Sequence, residues 1–178
     1  DRAAVHMQLE HTGEGFADLR EALQLVDSEF GANDLRTQTF VHNLGYALIP
    51  HEPARAVQLL ARAHQLLLTK YPKDHSKAVK GLIVLGIAQR ESRDLAAAHV
   101  TLQDAMRLAA DIKSEALLGY AMFHYAQTLT AARQRQEQIA LLSESLALRT
   151  RTNAAKGDLA EHASILAEAK AAAVARKP

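Results

Sequence analysis

The stretch Leu85–Leu108, L-G-I-A-Q-R-E-S-R-D-L-A-A-A-H-V-T-L-Q-D-A-M-R-L, decides how the rest of the chain is read. Two helical patterns are joined by a polar break at Glu91-Ser92-Arg93-Asp94. The first carries a residue without a side chain, Gly86. The second sets Ala98, Leu102, Ala105 and Leu108 three or four residues apart, on one helical face. Helices packed closely need a small residue at the crossing, because a larger one pushes the axes apart. Gly86 and Ala105 meet that need, and Leu102 and Leu108 fill the interface on either side of Ala105.

Outward from this stretch the same order returns. Leu19, Leu60, Leu102 and Leu142 form a bulky column spaced 41, 42 and 40 residues apart. Ala22, Ala63, Ala105 and Ser145 follow three residues later, and Leu25, Leu66, Leu108 and Leu148 six residues later. Gly15, Ala56, Ala98 and Gln138 precede the bulky column by four residues. In the preceding helices the small column is Ala4, Gly45, Gly86 and Ala126. A charged column, Glu21, Arg62, Asp104 and Glu144, is expected to face water. A chance amphipathic bundle gives apolar stripes, not a small-large-small order repeated through four pairs.

The chain divides accordingly into nine expected helices. Asp1–His11 is the first, with Gly13 and Gly15 breaking it from the second, Phe16–Phe30. Gly31 stops that helix, and Asn33 or Asp34 caps the third, Leu35–Ile49. Pro50 ends it and Pro53 opens the fourth, which runs to Lys70. Asp74 or Ser76, Asp94 and Ser114 cap the next three, and helices eight and nine start near Gln136 and Leu159. The helix pairs cover about 1–31, 34–71, 74–111 and 114–152, with a capping helix at 157–176. No period-two alternation and no Asn-Gly or Asp-Gly hairpin signal competes.

This layout resembles tetratricopeptide repeats over essentially the whole chain. The period here is longer than that family's usual ~34 residues. Similar long repeats occur in kinesin light chains, bacterial peptide-pheromone receptors and other signalling regulators. The resemblance implies an all-α, right-handed superhelix of four antiparallel helix pairs and a C-terminal cap, in one domain. It also implies a concave face lined by the first helix of each pair. Carried onto this chain, that lining is Thr39, His42, Asn43 and Tyr46 in the second pair, Lys80, Ile83, Val84 and Ile87 in the third, and Tyr120, Phe123, His124 and Gln127 in the fourth. Apolar and aromatic residues among amide and imidazole donors suit a peptide whose side chains need pockets. For Ile83 and Ile87, packing between repeats weighs as heavily as lining. The carboxylate clamp of chaperone-binding members is not expected: Asn43 and Lys80 match, but His42 and Ile83 stand where a clamp wants charge or amide.

Composition narrows the function classes. The 178 residues are 48% hydrophobic and 23% charged, with a net charge of +1, so no single-sign field draws nucleic acid or a membrane. No apolar run approaches the ~20 residues that span a bilayer. There is no Cys, which removes disulfides and thiolate sites and fits a reducing, cytoplasmic setting. Nine His lack metal-ligand spacing, and no cofactor is expected. Arg133, Arg135, Arg149 and Arg151 read as a solvated basic rim. No phosphate loop or nucleophile elbow is present, so no enzyme is expected.

The start at Asp1 points to a piece of a larger protein. The reading is a protein- or peptide-binding module, the sensor or scaffold part of a bacterial-type signalling or transcription regulator. The alternative is a homodimerisation module. A helical enzyme built from His42, Tyr46 and His124 ranks last.

Overall fold

The computed structural model describes residues 12–31, 34–71, 76–129 and 134–175. Among them lie eight α-helices and no strand: α1 (Thr12–Phe30), α2 (Leu35–Leu48), α3 (Pro53–Lys70), α4 (Ser76–Glu91), α5 (Leu95–Asp111), α6 (Glu115–Ala126), α7 (Arg135–Arg151) and α8 (Lys156–Val174). They belong to two compact units, Asp1–Tyr71 and Pro72–Pro178. The expected helix Asp1–His11, with Ala4, lies outside the described residues, as do the alternative caps Asn33 and Asp74.

Helix boundaries follow local chemistry. Asp34 accepts the backbone N–H of Arg36 at 2.8 Å, Asp94 that of Ala97 at 3.0 Å and Ser114 that of Leu117 at 3.4 Å. Gly31 ends α1 at φ 86°, where a side chain is strained. Two boundaries depart from expectation: α8 starts at Lys156, ahead of Leu159, and α1 starts at Thr12 and runs through Gly13 and Gly15. Glycine lowers helix propensity by about 1 kcal/mol, and tertiary packing routinely overrides that.

Three turns in the second unit share one design. Arg93, Lys113 and Asn153 all have positive φ, 68°, 54° and 58°. The residue after each returns its N–H to a carbonyl five back: Asp94 to Gln89, Ser114 to Ala109, and Ala154 to Arg149. This is the Schellman closure of a helix end. Only Asn153 is a residue type that signals it in sequence.

In the first unit α3 packs on α2, and α1 on α2. Val41, Leu44, Leu48, Ala56, Leu60, Ala63 and Leu67 are buried there. A Cβ built on Gly45 would sit 2.8 Å from Leu60 Cγ, so the bulky column rests on the small one. Arg62, of the charged column, pairs with Asp27 at 3.1 Å.

The second unit repeats that arrangement. Here α5 packs on α4 and α7 on α6, while α6 also packs against α4 and α5, and α8 against α7. A Cβ on Gly86 would lie 2.5 Å from Leu102 Cγ. Leu142 shares a core cluster with Ala126, the next member of the small column. Bonds between opposite ends make α6 and α7 antiparallel. Gln138, in the first turn of α7, donates to the carbonyl of Ala126 at 3.0 Å, and Arg151 at its end forks onto Glu115 at 2.7 and 2.9 Å. The last described helix, α8, lays Leu166 and Ala169 on Phe123, Ala126 and Leu142, with Ile165 and Leu146 at the edge. Its Ala163, Ala167 and Ala171 are exposed.

One expected column is displaced. Leu25 is 61% exposed, and Leu66 and Leu108 are half-buried, while Leu67 and Ala109 are buried; Leu148, the fourth member, keeps its expected buried place. From the small column the contact row runs to i+4, not i+3, as ridges of four-residue spacing do.

Candidate functional site

The twelve residues expected to line a concave face fall on both units. In the first unit, α2 turns Val41, Leu44, Gly45 and Leu48 inward. Thr39, Asn43 and Tyr46 are exposed, Tyr46 at 57%, and His42 is half-buried. These are i, i+4 and i+7 positions, so they share one face of the helix. That face offers a phenol ring, an amide and a hydroxyl to solvent.

In the second unit the residues separate. Lys80 is exposed, and Val84, Ile87, Tyr120 and Gln127 are half-buried. Ile83 is fully buried with Val79, Leu102, Ala105 and Leu117, so of its two equally weighted readings packing holds and its place on a ligand face does not. The reason is that α6 packs against α4 as well as α5, and covers the side of α4 that carries Ile83. Phe123 and His124 are likewise buried. Every residue from Ala121 to Ala126 is buried, because α6 has neighbours on all sides.

The side chains that gather here were not those expected. Arg149, assigned from sequence to a solvated rim, is 4% exposed. Its stem passes Gly119: a Cβ there would meet Leu148 Cβ at 3.0 Å and Arg149 Cγ at 3.1 Å. The guanidinium lies 4.9 Å from the Phe123 ring centre and 5.5 Å from that of Tyr120. It reaches Asp158, in the first turn of α8, at 3.4 Å. His162 of α8 is fully buried, 4.3 Å from Phe123 between ring centres. His124 stacks edge-on against Tyr120 at 4.6 Å and Phe123 at 5.0 Å. On its other side Arg90 of α4 bonds Gln127 and approaches His124 Nδ1 at 3.5 Å, while pairing with Glu91 at 2.7 Å.

Protonation follows from these partners. His162 Nε2 lies 2.9 Å from the carbonyl of Leu142, so Nε2 carries the hydrogen and Nδ1 is an acceptor. Arg90 can only donate, so His124 Nδ1 accepts and its hydrogen sits on Nε2. Burial first, then the cations Arg90 and Arg149 and the neighbouring His162, push His124 down to about 3. Burial, then Arg149, pushes His162 down to about 4, against the opposing pull of the Leu142 carbonyl. Both rings are neutral at pH 7. Among the described residues, Arg149 Nη1, His124 Nε2 and His162 Nδ1 have no hydrogen-bond partner.

The signal for this cluster in the sequence was Gly119. A glycine inside a helix, off the repeat's own small column, marks a close approach, here by the stem of Arg149. His162 carried no comparable mark.

Among the described residues no group of three or more His, Asp or Glu is placed to hold a metal ion, and no helix is long and apolar enough to cross a membrane. The exposed large apolar side chains Leu25, Tyr46, Val100 and Val174 sit on four different helices. No protein-family model matches the chain, and no curated protein matches it.

Proposed function

We propose that the chain is a protein- or peptide-binding helical-repeat module of the tetratricopeptide-like, right-handed type, serving as the sensor or scaffold part of a larger signalling or transcription regulator. The repeat type is supported by the 40–42-residue column spacing and by the seating of Leu60 on Gly45 and of Leu102 on Gly86. The binding reading rests on one observation, the outward face of α2. Tyr46 keeps most of its ring in water although it neighbours the buried crossing at Gly45. A large amphipathic ring held on a rigid helix, with an amide one turn before it, is the kind of anchor that interfaces use.

The test is selection of peptides from a displayed library on the full chain, followed by titration of the recovered peptides against a Tyr46→Ala, Asn43→Ala variant. The expected result is at least a tenfold loss of affinity with unchanged helical circular dichroism, since an aromatic anchor contributes about 2 kcal/mol or more. Peptides that bind the variant at full strength place recognition elsewhere. Recovery of no peptide removes the reading.

A further inference from the structure

We propose that the cluster around Arg149 in the second unit is a binding site for a small, singly charged oxyanion, a carboxylate, held by Arg149 Nη1 and His124 Nε2. The site is independent of the α2 face, which belongs to the other unit, so the two proposals fail separately.

Three observations carry it. First, unpaired buried donors are costly, and a buried guanidinium with a free N–H more so. Arg149 Nη1 and His124 Nε2 are such donors, both within the ring cluster of Tyr120 and Phe123. Second, the cluster is short of negative charge. Among the described residues Arg90 has Glu91 at 2.7 Å, and Arg149 has Asp158 at 3.4 Å, whose side chain is 60% exposed. One negative charge balances the buried end, and a carboxylate carries one charge on two acceptor oxygens. Third, the helices are shaped around the arginine. Gly119 leaves room for its stem, and Ser145, one turn earlier on α7, ties that helix to the Gly119 carbonyl at 2.6 Å. A stem needing only solvent would require neither. His162 Nδ1 adds an acceptor, which suits a hydroxyl beside the carboxylate.

The probes are acetate and glycolate, with phosphate and chloride at matched ionic strength as comparisons. With the full chain at pH 7, carboxylate at about ten times its Kd is expected to raise Tm by roughly 2–5 °C over chloride. Glycolate should act at lower concentration than acetate. Arg149→Met, which keeps the stem and removes the charge, should abolish the shift, and Arg149→Lys should reduce it. A readout in the unaltered chain guards against misfolded variants: acetate should move the nitrogen resonances of the His124 and His162 imidazoles and leave those of His64 in place. No shift beyond that of chloride, an equal shift in Arg149→Met, unmoved imidazole resonances, or a response to phosphate alone would each overturn the assignment.

Discussion

At the α4–α5 crossing Leu102 lies on Gly86, with Ala98 and Ala105 on either side, all buried. At the α6–α7 crossing Leu142 clusters with Ala126, and the flanking positions hold Gln138 and Ser145. The register is shared and the chemistry is not. The first crossing is apolar and admits no Cβ at position 86. The second accepts one at Ala126 and replaces two alanines with donors that reach carbonyls of α6, Gln138 to Ala126 at 3.0 Å and Ser145 to Gly119 at 2.6 Å. Packing alone tolerates small rotations of one helix on another, whereas directional bonds fix the angle. With that angle fixed, Arg149 enters over Gly119 and meets Phe123 and, across α8, Asp158. The α4–α5 crossing is thus built for packing, and the α6–α7 crossing frames a buried charge.

The comparison breaks most visibly if the two leucines are not equivalent. Leu102→Ala and Leu142→Ala should each cost about 2–5 kcal/mol in denaturant unfolding, since both are fully buried. A cost below about 1 kcal/mol for Leu142→Ala would mean that the polar flanks, not the leucine, hold the second crossing.

Acid should act through the second crossing. His124 and His162 titrate folded at about 3 and about 4, and near 6.5 in an unfolded chain. A lowered folded pKa gives a contribution that is complete above pH 6.5. It is lost as pH falls, because the unfolded chain takes up protons that the folded chain refuses. Each histidine should therefore remove on the order of 1 kcal/mol per pH unit between 6.5 and its folded value. The urea midpoint at pH 7 and pH 5 measures this, and His162→Gln should reduce the difference by about half, the His124 share remaining. An unchanged slope in that variant would mean that His162 is not a neutral buried ring.

Ser145→Ala should cost about 1 kcal/mol, the net value of one buried hydrogen bond. A neutral result would leave the angle of α7 to packing alone. The smallest expected effect is a gain. Gly157, in the first turn of α8, has nothing within 4 Å of a built Cβ, so Gly157→Ala should stabilise by about 0.5 kcal/mol. If it destabilises, a glycine outside the crossings matters too.

Much of the frame was legible because it depends on nearest neighbours in sequence. Pro53, Asp34, Asp94, Ser114 and Gly31 act locally, and each sits at the helix end it implied. The crossings at Gly45 and Gly86 were legible because the small column recurs at a fixed period. The cluster was not, because Gly119, Arg149 and His162 come from three helices and meet only once α7 and α8 have packed. Arg149 shares its charge with the exposed Arg151 two residues on, and only the opposing glycine separates their fates. Ile83 was open between lining and packing, and packing holds because the side that one helix pair leaves open is covered by the next helix.

The α4–α5 crossing depends on Leu102 seating on Gly86, and a double-mutant cycle tests that contact directly. Gly86→Ala should cost about 1–3 kcal/mol in the wild-type chain, because its Cβ would lie 2.5 Å from Leu102 Cγ. In a Leu102→Ala background the same change should be neutral or stabilising, since Ala is the better helix former. A coupling energy of at least about 1 kcal/mol is the predicted result. An equal cost in both backgrounds would mean that position 86 is not a crossing, and the repeat register would be contradicted.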